Sequence, residues 1–65
     1  MKVSCTTIVK DERQRKDLCQ RIEDLGAMPE VVGDTVFADY DGEDSKAKEL
    51  IDLFRQYPYY GVSIL

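Results

Sequence analysis

The sequence predicts an α+β domain of the ferredoxin-like type: a βαββαβ chain whose four-stranded antiparallel sheet carries two helices on one face. Three observations lead there. Two segments with helical apolar spacing are separated by a pair of alternating strand-like runs. Gly33-Asp34 joins those runs with a two-residue hairpin turn. A β-branched run opens the chain and an alternating one closes it. Right-handed crossovers give the spatial order 4-1-3-2.

Residues 2–9, Lys-Val-Ser-Cys-Thr-Thr-Ile-Val, are rich in β-branched side chains and form the first strand. Val3, Cys5, Thr7 and Val9 then point to one face, and Ser4, Thr6 and Ile8 to the other. Asp11 is the N-cap of the first helix, with Gln14 placed to complete a capping box. Leu18, Ile22 and Leu25 recur at helical spacing, Asp17 and Arg21 can pair across one turn, and Gly26 supplies the stop. The polar residues Glu12 through Lys16 are expected to project past the sheet.

Residues 27–41 form the hairpin. A Gly-first turn pairs Val32 with Thr35, Val31 with Val36, Glu30 with Phe37 and Met28 with Asp39. Val31, Val36, Ala38 and Tyr40 share the core face. Met28, Glu30, Val32, Phe37, Asp39 and Asp41 share the other. Asp44 or Ser45 caps the second helix, in which Ala47, Leu50, Ile51 and Phe54 follow the i, i+3, i+4, i+7 pattern. Pro58 closes that element, and the last strand covers Tyr59 to Leu65, with Tyr60, Val62 and Ile64 facing the core and Tyr59, Gly61 and Ser63 facing out. The expected core is Val3, Cys5, Val9, Leu18, Ile22, Val31, Val36, Leu50, Ile51, Phe54, Val62 and Ile64.

Composition narrows the function. The 65 residues, 43% hydrophobic and 34% charged, suit one domain spanning 1–65 with a thin core rather than a deep cleft. No apolar run reaches the roughly 20 residues of a membrane span, and the first residues lack the apolar stretch of a signal peptide, so a cytoplasmic protein is expected. The net charge of −4 disfavours direct nucleic-acid binding. From Glu23 to Asp44 every charged residue is acidic, whereas Lys10, Arg13, Arg15, Lys16 and Arg21 make the preceding segment basic; such a polarised surface attracts a basic protein. Cys5 and Cys19 read as small core residues held reduced, and with no His in the chain the usual zinc ligand sets are missing.

The alternation leaves one sheet face uncovered, with an aromatic ring and acids on it. RNA-binding domains of this topology stack bases on aromatics of that face. Here Thr6 and Ile8 stand where the first strand would need aromatics, and Asp39 and Asp41 repel phosphate. The acidic run Asp39 to Asp44 fails the EF-hand spacing, with Leu50 at the position of the bidentate Glu. The loop after the first strand, Lys10-Asp11-Glu12, has neither the cysteine pair of copper-chaperone domains nor the glycine of ACT-like ligand domains. No nucleotide fingerprint or nucleophile motif occurs.

The leading expectation is therefore a non-enzymatic protein-binding module, without cofactor, that inhibits or regulates a larger basic protein, including one that handles nucleic acid. Its contact residues are Phe37, Asp39, Asp41, Glu43, Tyr59, Met28 and Glu30. Very small acidic proteins of phages and mobile elements, certain anti-CRISPR proteins among them, are similar in composition, and some mimic the charge of DNA. The alternative is a small-ligand or cation sensor that homodimerises through the open sheet face. Monomer and homodimer both remain open.

Overall fold

The computed structural model describes residues 1–65. The elements are β1 (Lys2–Ile8), α1 (Glu12–Asp24), β2 (Met28–Val32), β3 (Thr35–Asp41), α2 (Asp44–Phe54) and β4 (Gly61–Ile64). The sheet is antiparallel throughout, in the order β2-β3-β1-β4, which makes the fold ferredoxin-like. α1 packs over β2 and β3, and α2 over β1.

The hairpin register is the one its turn dictates: Val32 opposite Thr35, Glu30 opposite Phe37, Met28 opposite Asp39. Gly33 supplies a φ of 61°, a left-handed conformation glycine adopts without Cβ strain. Asp11 caps α1 by accepting the Gln14 amide at 3.0 Å, and Gly26, with φ 83°, ends it. Asp17 and Arg21 pair at 3.0 Å.

Between sheet and helices lie Val3, Cys5, Val36 and Ala38 from the strands, Leu18 and Ile22 from α1, and Ala47, Leu50, Ile51, Leu53 and Phe54 from α2. Val9 lies just past the end of β1 yet is buried. Thr7 is the buried polar side chain, and its hydroxyl donates to the Pro58 carbonyl, so no buried side-chain nitrogen or oxygen is left unpaired.

Two expected core residues are not in the core. Val31 is 45% exposed and Ile64 64% exposed. Both point to the helix side, but both belong to edge strands. Beside Val31, α1 presents Glu12, Lys16 and Glu23, whose long polar side chains leave a groove rather than a seal. Ile64 lies out from β1, the strand that α2 covers, and Val62 is only half-buried.

Arg15 does not project past the sheet. Its guanidinium turns back, donating to the carbonyls of Val9 at 2.9 Å and Lys10 at 3.1 Å and pairing with Asp34 at 3.3 Å. The Val9 amide in turn donates to the Asp34 carbonyl at 2.8 Å. One side chain thus ties the β1–α1 loop to the β2–β3 turn. The N-cap of α2 is Glu43, not Asp44 or Ser45, and it makes no side-chain cap bond. Tyr59 is outside β4: it has φ 56° in the turn before the strand and is 81% exposed. No helix is long and apolar enough to cross a membrane.

Candidate functional site

The face opposite the helices is uncovered, and its layout follows from the registers. Side chains that share a face line up across strands in rows. Val32, Thr35 and Ile8 form the first row; Glu30, Phe37, Thr6 and Gly61 the second; Met28, Asp39, Ser4 and Ser63 the third. Asp41 and Lys2 make the last. Phe37 therefore stands on a central strand, between Glu30 and Thr6, and is 37% exposed.

This places five of the expected contact residues together: Met28, Glu30, Phe37, Asp39 and Asp41 share the open face. Glu43 lies beyond the sheet, at the N-terminus of α2. Tyr59 is separated from the acids. It sits by Ile8, where the Ile8 amide approaches the Pro58 carbonyl at 3.4 Å. Asp41 lies at the other end of β3, about 20 Å away for six residues of strand. The expected grouping of Tyr59 with Asp39, Asp41 and Glu43 is thus corrected. The aromatic after Pro58 is a turn residue at the apolar end.

The face consequently has a direction. Ile8 at 37% exposure, Val32 at 61% and Phe37 surround Thr35 at one end, with Tyr59 beside them. Asp39 and Asp41 occupy the other. Ile8 and Val32 belong to the apolar patch as much as Phe37 does, and strand alternation is the signal that finds them. A side chain at position 61 would crowd this surface. A Cβ there would lie 3.1 Å from the Thr6 methyl, so Gly61 keeps the β4 end of the second row low beside Thr6.

At the acidic end the chain supplies its own counter-charges. The Met1 ammonium donates to the Gly42 carbonyl at 2.9 Å and lies 3.4 Å from the Asp44 carboxylate. Lys2 is the register neighbour of Asp41 on the open face. No group of three or more Asp, Glu or Cys side chains is placed to hold a metal ion. Asp39 and Asp41 both remain exposed. Asp39 acts through the sheet as well: burial first, and then the Asp39 charge, push the Cys5 thiol up from 9.0 to about 11.

The depressions on the surface are shallow grooves beside α1, between the helices and around the Pro58 turn, and Phe37, Asp39 and Asp41 line none of them. The candidate site is an ungrooved part of the open sheet face. Comparisons with family models, with curated proteins and with solved structures find no match to this chain.

Proposed function

We propose that this chain is a protein-binding module, without catalysis of its own, that docks its open sheet face on a larger protein with a basic surface and thereby inhibits or regulates it. The observation that carries this reading is the arrangement around Phe37. A half-exposed aromatic ring on a central strand has aliphatic neighbours on one side and two exposed carboxylates on the other. An apolar centre beside a charged margin is the anatomy of protein interfaces, and a rigid strand presents the ring at low entropic cost. The carboxylates select the partner's sign. Asp39 and Asp41 on a chain of net charge −4 steer a basic surface towards this end of the sheet. A basic protein that handles nucleic acid has such a surface, and the acidic end would compete there with phosphate.

The test is parallel capture from lysate of the source cells on immobilised wild type and Phe37→Ala, with proteins identified by mass spectrometry. The reading expects one basic protein retained by the wild type, depleted on Phe37→Ala and released by salt. Equal retention on both supports, or none on either, overturns it.

A further inference from the structure

β4 is an edge strand whose single neighbour is β1. In an antiparallel pair, backbone groups point alternately towards the partner and away from it. The Leu65 amide donates to the Lys2 carbonyl at 2.8 Å, and the register continues through Ser63 opposite Ser4 and Gly61 opposite Thr6. The amides and carbonyls of Val62 and Ile64 therefore face outward, away from β1.

The two edges of the sheet differ in what guards them. β2 contains Pro29 and Glu30 and runs beside Glu12, Lys16 and Glu23 of α1. Proline and charge are the usual protections of an edge against strand addition. β4, Gly61-Val62-Ser63-Ile64, has no charge, no proline and no bulge in its register. Two exposed apolar side chains flank half-buried Val62: Ile64, 64% exposed on the helix side of the strand, and Tyr60, 48% exposed in the residue just before it.

We infer that β4 pairs antiparallel with β4 of a second copy of this chain, about a two-fold axis through Val62, which joins the two sheets into one. Three features favour a second copy as the occupant. The outward-facing groups of Val62 meet their own equivalents, as a hydrogen-bonded antiparallel pair requires. The same register sets Tyr60 opposite Ile64 of the second copy and Ile64 opposite its Tyr60, so both exposed apolar side chains gain a cross-strand neighbour. Charge is complementary as well. The flank of α2 away from α1 carries Asp44, Lys48 and Arg55 at helical spacing around Ile51, and the partners Asp44 and Arg55 have within the chain, the Met1 ammonium and Asp52, are exposed surface pairs that leave both free to make a second contact. A two-fold axis runs the two α2 helices antiparallel beside the seam, with the Asp44 end of each towards the Arg55 end of the other. The β4 pairing leaves both open faces free and side by side.

Sedimentation and backbone amide exchange over a concentration series test this. The expected result is a doubling of mass with rising concentration, accompanied by slowing of the Val62 and Ile64 amides, which have no partner in the single chain. Ile64→Pro removes an outward amide without breaking a bond to β1, and Ile64→Lys places a charge on the seam. Both are expected to be monomers with a native circular-dichroism spectrum, whereas Phe37→Ala remains a dimer. A chain that stays monomeric at every concentration with fast Val62 and Ile64 amides overturns the inference, as does a dimer that survives both Ile64 variants or dissolves in Phe37→Ala.

Discussion

Tyr40 and Gly42 share one corner of the molecule: the Tyr40 hydroxyl accepts the Glu43 amide at 3.1 Å and fills the space a Cβ on Gly42 would need, 2.5 Å from it. Glu43 is the N-cap of α2 and has no side-chain cap bond, so the tyrosine hydroxyl takes the cap residue's own amide. The ring joins the helix start to the end of β3. Tyr40→Phe is expected to lose about 1 kcal/mol of stability. Gly42→Ala is expected to lose about 1–2 kcal/mol by pushing the ring aside. The double variant should fall well short of the sum, because both changes break the same hydrogen bond. Urea midpoints of the four proteins measure this.

Phe54 is fully buried in the core, on the helix α2 that packs over β1. Phe54→Ala is expected to cost about 3–5 kcal/mol, a large share of the stability of a domain this small. Thermal unfolding close to that of wild type would place the ring outside the core.

Arg15 is expected to matter more than its place on a surface helix suggests. Its guanidinium holds two loop carbonyls and Asp34 with its side chain 19% exposed. Arg15→Ala should destabilise by about 1–3 kcal/mol, since charged hydrogen bonds are lost and a carbonyl is left without its donor. Arg13→Ala, on the same helix, should change the urea midpoint little.

The thiols give a pH dependence of definite sign. Cys5 is buried, and Cys19 is half-buried. Burial raises both, with Asp39 adding to Cys5 and Glu23 to Cys19 while Arg15 opposes the latter. The folded chain holds the Cys5 proton up to about 11, whereas the unfolded chain releases it near 9.0. Above the lower value the unfolded state binds fewer protons, so stability falls as pH rises between the two and has no thiol slope below them. The urea midpoint of wild type should therefore decline more steeply than that of Cys5→Ala over this alkaline window. In native protein at neutral pH a thiol reagent should modify Cys19 before Cys5, and both slowly compared with the unfolded chain. Rapid labelling of Cys5 would contradict its burial.

Much of this architecture is legible in the sequence because its signals are local. The Gly33-Asp34 turn fixes the β2–β3 register, Asp11 and Gly26 bracket α1, and the α2 apolar spacing matches its buried stripe. Alternation also places Phe37, Asp39 and Asp41 on one face. What it does not report is coverage. Val31 and Ile64 have the phase of core residues, yet they lie on edges, and that depends on where distant helices pack. Tyr59 looks like a strand residue because aromatics favour strands, but the turn after Pro58 places it in a left-handed conformation. Nor can alternation reveal that the open face runs from apolar to acidic. That needs the register of β1 on β3, strands separated by a helix and another strand, which brings Ile8 to Thr35 and Lys2 to Asp41.

The docking proposed for the open face, on a basic protein through Phe37 and steered by Asp39 and Asp41, is tested by the kinetics of the captured partner on three surfaces, wild type, Phe37→Ala and Asp39→Lys/Asp41→Lys, at low and high salt. Removing the ring should speed dissociation at least tenfold and leave association nearly unchanged, a loss of about 1.4 kcal/mol or more. Reversing the two charges should slow association at low salt, and the difference from wild type should shrink at high salt. Wild-type rate constants for both variants at both salt concentrations would contradict the claim and place the contact on another face.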